Sequence, residues 1–386
     1  MKTYDWIVVG GGMTGAVLAY ELVKTGFSVL LLEKDAVAEN ATRYSYGGLA
    51  YWSGSTPLTR QLCQEARDRY NILPQELDAD IELRELDLLL TIPADSDPQV
   101  TAELYAQCAV PPCLLSVPEA CELELLLNPG AIAGALTVKH GHIHPQKTVQ
   151  AYIQAFLRAG GELQIGEVSQ VTSGGVKTTT VTYHSANVVV CAGGLSRRLL
   201  KSVGVSIKVY FTHAEIIETP PVDLRLNTLV MPANLQRFKL ESTSTEVDEL
   251  WNKPGNQLAP PILDAGAIQF LDGSLRLGQI SRVLTDVDAY INHEESEDWL
   301  RQSISHILPI LGNLPGNWHH CLVAFSSNSL PVIGVISELP GVHIFSGFSN
   351  PLVLIPPLAQ RFAKFLSGTE DDIIPQFSDF LILTGS

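Results

Sequence analysis

"DWIVVGGGMTGAVLAYELVKTGFSVLLLEKD", residues 5–35, decides the fold. Its opening WIVVG, residues 6–10, is apolar without interruption, as a central parallel strand covered on both faces requires. The following TGAVLAYELVKTG, residues 14–26, puts Val17, Leu18, Leu22 and Val23 on one stripe at helical spacing. FSVLLLEKD then restores a strand that ends at Glu33. Between strand and helix stand Gly10, Gly12 and Gly15 in the G-x-G-x-x-G spacing. Gly10 permits the tight turn, Gly12 lets a pyrophosphate approach the backbone, and Gly15 lets helix and strand pack closely. The helix start, at Met13 and Thr14, presents unpaired N–H groups to phosphates. Glu33 follows Gly10 by 23 residues, where a carboxylate accepts both ribose hydroxyls, with Lys34 beside it. These features predict adenine-dinucleotide binding. FAD and NAD(P) share the cradle; a carboxylate at 33 disfavours a 2′-phosphate, and so NADP.

The rest of the chain is consistent with a globular enzyme-sized protein. Its 386 residues allow two cores, because a single core stops growing near about 250–300 residues. Apolar residues make up 46% and charged residues 17%. With 41 acids against 25 Lys and Arg, the formal charge of −16 disfavours a nucleic-acid partner. No signal-peptide pattern and no apolar run of membrane-spanning length stand out, so a cytoplasmic location without membrane association is expected. The 6 cysteines lack paired-ligand spacing, as in a reducing compartment. His140, His142 and His144 alternate, but they are expected to be surface or helix-start residues, and His319 and His320 lack further ligands. No metal site is expected.

Two later stretches, NVVVCAGG at 187–194 and GVHIFSGFS at 341–349, are apolar strands running into glycines, so the nucleotide sheet is re-entered from distant parts of the chain. With VVGGGMTGAVLAYEL, the YSYGGL loop, GHIHPQKTVQAYIQAFLRAGGEL, ANVVVCAGGLSRRLL, DGSLRLGQISR and LPVIGVISELPGVHIFSGF in that order, the chain resembles the D-amino acid oxidase family of FAD-dependent oxidoreductases. The likeness lies with its glycine oxidase, sarcosine oxidase and D-amino acid dehydrogenase branch. It implies a Rossmann-like α/β FAD-binding domain (1–80, 141–206, 325–386) and an inserted α+β, mainly antiparallel-sheet substrate domain (81–140, 207–324). It also places FAD against Ser45, Gly47, Gly48, Leu49, Val168, Ala192, Gly193, Gly347, Phe348, Ser349, Asn350, Pro351 and Leu352. The implied reaction oxidises the C–N bond of a small amine or amino acid by hydride transfer to flavin N5. An imine results, and dioxygen or an electron acceptor restores the flavin. Oxidation of a 2-hydroxy acid or other small alcohol, and flavin binding without turnover, are the alternatives; the oligomeric state stays open.

Departures from the family pattern bear on the substrate. Relatives that oxidise amino acids carry an arginine where this chain has Val323, and CLVAFSSNSLPVIG puts Ser326, Ser327 and Asn328 in place of the Thr-Pro pair and the acid. A valine cannot clamp a carboxylate, so either Arg276 or Arg282 has taken that role or the substrate is not a simple amino acid. Phe348 replaces a histidine, Leu352 a glycine, and Pro351 contributes no N–H. Cys321 falls where the sarcosine oxidase branch attaches flavin covalently, but its apolar neighbours favour an ordinary buried thiol. Tyr51, Trp52, Tyr210 and His213 complete the set of pocket candidates. Helices are expected over 57–71, 98–109, 145–161 and 294–308, and a hairpin with a two-residue turn at Asp272 and Gly273.

Overall fold

The computed structural model describes residues 2–37 and 40–380. Residues 1, 38, 39 and 381–386, which fall in the segments 1–80 and 325–386 and at the start of the 39–56 loop, lie outside the described residues.

The first sheet has the spatial order Val332–Val335, Val342–Ser346, Thr182–Val190, Thr3–Val9, Val29–Glu33, Glu162–Ile165. All neighbours are parallel except Val332–Val335, which pairs antiparallel with Val342–Ser346. A meander of Val168–Thr172 and Gly175–Thr178 folds off Thr182–Val190. Alternation along the first strand explains its unbroken apolarity. Trp6 and Val8 pack with residues of the helices Met13–Lys24, Pro57–Leu77, Pro145–Arg158 and Pro351–Leu366, while Ile7 and Val9 pack with Val171 and Val176 of the meander. Both faces are therefore dry. Gly15 allows the first helix to lie on the strand: a Cβ there would stand 1.8 Å from the Gly10 carbonyl oxygen.

The second sheet has nine strands. Its main path runs Asn317–Ser326, Val209–Glu218, Leu275–Leu284, Gln257–Gln269, Leu229–Pro232, Arg84–Pro93, Ile132–His142 and Gly48–Leu49. Cys113–Leu115 pairs with Ile132–His142, and the one parallel pairing among these strands is Leu229–Pro232 with Arg84–Pro93. The architecture is thus the expected combination of a doubly covered α/β sheet and a mainly antiparallel one. Gly48–Leu49 is an edge strand of the second sheet, although it lies within segment 1–80.

Several element boundaries differ from the sequence reading. The helix expected over 57–71 continues to Leu77, starting where Thr56 accepts from Thr59 N ahead of Pro57 at the first helical position. The expected 98–109 helix stops at Glu103, and the others span Pro145–Arg158 and His293–Ile307. At Asp272 the hairpin has three loop residues rather than two, because Phe270 N donates to Ser274 O at 2.8 Å and Gly273 closes the loop at φ 90°. Gln236–Ser244 and Pro351–Leu366 are the longest of the helices that were not expected. The second contains Pro356 and Pro357. A proline at 356 cannot donate to the Leu352 carbonyl, which instead accepts from the buried Tyr70 hydroxyl at 2.7 Å.

Candidate functional site

A cavity of about 1000 Å³ is lined by residues from both sheets. One end is built largely from backbone. Gly10, at φ 106°, turns the chain under Cys191, whose carbonyl oxygen would lie 2.6 Å from any Cβ at position 10. At Gly12 a Cβ would meet nothing closer than Thr42 Oγ1 at 3.4 Å, so its missing side chain leaves open cavity. Met13 N donates to Thr42 Oγ1 at 3.0 Å, which ties the short helix Ala41–Tyr44 to the start of the first helix. Glu33 accepts from Gly11 N at 2.6 Å and from Asp35 N at 3.1 Å, fixing its carboxylate at the cavity wall beside Lys34.

Most of the expected cofactor contacts line this one space: Gly10, Gly12, Met13, Thr14, Glu33, Lys34, Ser45, Gly48, Val168, Ala192, Gly193 and the run Gly347 to Leu352. Gly15, Gly47 and Leu49 do not. Gly15 serves the strand–helix contact described above. Gly47 has φ 78° and its carbonyl accepts from Ile143 N at 3.0 Å, so it shapes the loop. Leu49 is fully buried in the core beneath. Pro351 costs nothing by lacking an N–H, because it is the first residue of Pro351–Leu366. That helix starts at the cavity wall, and Phe348 packs edge-on against Phe345 with centroids 4.9 Å apart.

The other end is built from side chains of the second sheet, and the six pocket candidates prove to lie behind its wall. Arg276, only 2% exposed, spans Glu218 Oε1 at 3.3 Å, the Phe270 ring at 4.4 Å and the Ser45 carbonyl. It anchors the loop backbone and offers nothing to the cavity. Arg282 donates to Glu215 at 2.7 Å and to Ser296 at 3.1 Å. Neither arginine replaces the one missing at Val323, which does line the cavity. Tyr210 donates to Asp248 at 2.8 Å inside an aromatic cluster with Trp251 and Phe325. His213 lies 2.8 Å from His320 Nε2, the two rings stacked, and His320 rather than His213 reaches the cavity. Tyr51 packs beside Tyr70, and Trp52 donates its indole N–H to His140 Nδ1 at 3.0 Å.

That last bond fixes a tautomer. With Nδ1 accepting, His140 carries its proton on Nε2, and burial pushes its pKa down to about 4, so a neutral N–H donor lines the cavity. His140 and His142 are buried, not surface residues, because Ile132–His142 is an interior strand; only His144 has the expected helix-start place, accepting from Lys147 N. Cys321 also lines the cavity, where burial pushes its thiol up to about 12. No group of side chains suited to hold a metal occurs among the described residues. No helix among them is long and apolar enough to cross a membrane.

The sequence reading missed Arg237, Glu241 and Asp264, the cavity's charged residues on Gln236–Ser244 and Gln257–Gln269. Burial raises the carboxyl pKa of Asp264, against a 2.8 Å bond from Gln236 Nε2, and raises that of Glu241 against the field of Arg237. No motif announced them; they meet only through packing of the helix on the sheet.

A glycine cradle at the carboxyl ends of a parallel sheet, facing a second sheet across one cavity, defines a dinucleotide-dependent oxidoreductase. The family model described as FAD dependent oxidoreductase matches residues 5–365, and the chain belongs to that family. FAD is accordingly its cofactor, and the open backbone at Gly12 with the carboxylate of Glu33 at the wall fits an adenosine diphosphate moiety. Among curated relatives, glycine oxidase of Geobacillus kaustophilus is 28% identical over 266 residues, 63% of this chain and 70% of that protein. Human peroxisomal sarcosine oxidase is 27% identical over 212 residues, 53% of this chain and 54% of that protein. The crystal structure of the Geobacillus kaustophilus glycine oxidase superposes with a TM-score of 0.79 at 23% identity, covering 100% of both chains.

Proposed function

We propose that the protein oxidises the carbon–nitrogen bond of a small amine or amino acid to an imine. FAD, when bound, supplies a two-electron acceptor for the hydride leaving the substrate carbon. In this reading Gly10, Gly12, Met13 and Thr14 hold the pyrophosphate and Glu33 the ribose. Gly347 to Leu352 border the ring, and the first sheet with its helices is the FAD-binding domain. The second sheet is the substrate-binding domain, whose wall of Leu322, Val323, Met231 and His320 excludes water from the reacting carbon. His140 offers its Nε2–H to an acceptor atom and, being neutral, neither repels an amine nor titrates near neutral pH.

The observation that carries the reading is the single cavity joining the glycine cradle to that second-sheet wall. The amine and amino-acid oxidases among the relatives support its chemistry. Dioxygen or an electron acceptor would take the electrons, and the 6 unpaired cysteines fit a cytoplasmic location. Anaerobic mixing of the holoenzyme with amines, amino acids and 2-hydroxy acids tests it. Bleaching of the flavin band by a nitrogen compound is expected; bleaching by hydroxy acids alone would replace this reading with alcohol oxidation. From Val323, glycine is expected to be a poor reductant.

A further inference from the structure

The charges at the second-sheet end of the cavity do not balance. Arg237 Nε lies 3.7 Å from Glu241 Oε1, beyond hydrogen-bond range, and its field also reaches Asp264. One guanidinium thus serves two carboxyl groups. Glu241 is 6% exposed; its backbone carbonyl accepts from Ser244 Oγ, but its carboxylate accepts no hydrogen bond among the described residues. Asp264 receives the Gln236 amide on Oδ1. A carboxylate that faces the cavity without a protein hydrogen-bond donor is open to a ligand cation with N–H groups. The remaining cavity arginine, Arg198, is paired with Asp288 at 2.9 Å. With Arg276 and Arg282 turned away, the cations that line the cavity each already face a carboxylate: Lys34 faces Asp35, Arg198 Asp288 and Arg237 Glu241.

We propose that Glu241 and Asp264 bind a cationic nitrogen of the substrate, and that the substrate class is a small aliphatic diamine rather than an amino acid. The proposal rests on amine oxidation as the reaction of this site. A nitrogen that loses hydride from its neighbouring carbon must do so uncharged, so the charge that balances this pocket comes from a second basic group. An amino acid would bring its carboxylate to a wall that already sets two carboxyl groups against one guanidinium.

The test uses holoenzyme and two kinds of readout. In the first, perturbation of the flavin absorbance is followed on titration with tert-butylammonium, which has N–H groups but no oxidisable C–H beside its nitrogen, or with acetate. tert-Butylammonium is expected to bind and acetate not, with Glu241→Gln weakening the cation about tenfold or more, the effect of losing a charge-assisted contact. Arg237→Gln, on a partly exposed helix face, is expected to strengthen cation binding. Acetate binding that Arg237→Gln abolishes would overturn the proposal, because Arg237 would then be a carboxylate clamp. In the second readout, 1,4-diaminobutane, butylamine and glycine are compared as anaerobic reductants. The diamine is expected to act at about tenfold lower concentration than butylamine, and Glu241→Gln to erase the difference. Equal potency of glycine or butylamine in wild type would sink the diamine class while leaving amine oxidation intact. Failure of every nitrogen compound to reduce a flavin that dithionite reduces would instead reject amine oxidation, and the titrations would still decide the cation site.

Discussion

The two ends of the cavity are made in different ways. At the dinucleotide end the wall is main chain: Gly10 and Gly12 bare the backbone, and one carboxylate, Glu33, is fixed by two backbone N–H groups. At the other end the wall is side chain, with Arg237, Glu241, Asp264, His140 and Val323 converging from segments far apart in sequence. A site made of backbone needs particular residue types at fixed spacing, and tolerates no replacement. One made of side chains needs only their convergence, and can change substrate while the fold stays.

The largest break in this contrast comes from Gly15. Gly15→Val would drive a side chain into the Gly10 carbonyl, 1.8 Å from the Cβ position, where only backbone could yield. A loss of about 3 kcal/mol or more is expected, read as a collapse of thermal stability together with flavin content. Glu33→Ala ranks next. It removes the proposed ribose acceptor and strands Gly11 N, so FAD retention on dialysis should fall by roughly tenfold or more, while the second sheet stays folded. Unchanged flavin content would show that the backbone alone binds the cofactor.

Tyr70→Phe sharpens the comparison, because here the backbone-built half depends on one side chain. The Leu352 carbonyl would lose its donor, at about 1–2 kcal/mol in denaturant unfolding, with flavin content maintained. The smallest effect concerns pH. Burial holds the pKa values of His140 and His213 down to about 4, against about 6.5 when unfolded. The unfolded chain therefore takes up protons first as pH falls, so stability is full above about 6.5 and declines toward about 4. His140→Gln should flatten part of that slope; an unaltered pH profile would mean that His140 does not contribute to it.

This contrast also explains what could be read in the sequence. The first sheet was legible because three of its strands, Thr3–Val9, Thr182–Val190 and Val342–Ser346, close on mainly apolar stretches that run into glycine. The helix Pro351–Leu366 was not, since Pro356 and Pro357 argue against a helix unless another residue satisfies the freed carbonyl, and Tyr70 lies 282 residues away from Leu352. Arg276 and Arg282 were reasonable candidates by type. Their carboxylate partners, Glu218 and Glu215, lie on the neighbouring strand Val209–Glu218, and only the register shows that the pairs meet. Arg237 and Glu241 sit on a short polar helix without apolar periodicity, so nothing local marked them.

The strand order has a consequence for the life of the chain. The glycine cradle leaves the ribosome well before its sheet can be completed: the strand Thr3–Val9 must wait for Thr182–Val190 to lie beside it, and that strand in turn for Val342–Ser346. The last wall of the cavity, Gly347 to Leu352, follows Val342–Ser346 directly and is translated more than 300 residues after Gly10. A nascent chain halted before residue 342 would leave Thr182–Val190 without its Val342–Ser346 neighbour and the cavity without Gly347 to Leu352, so a closed cavity requires synthesis past residue 352.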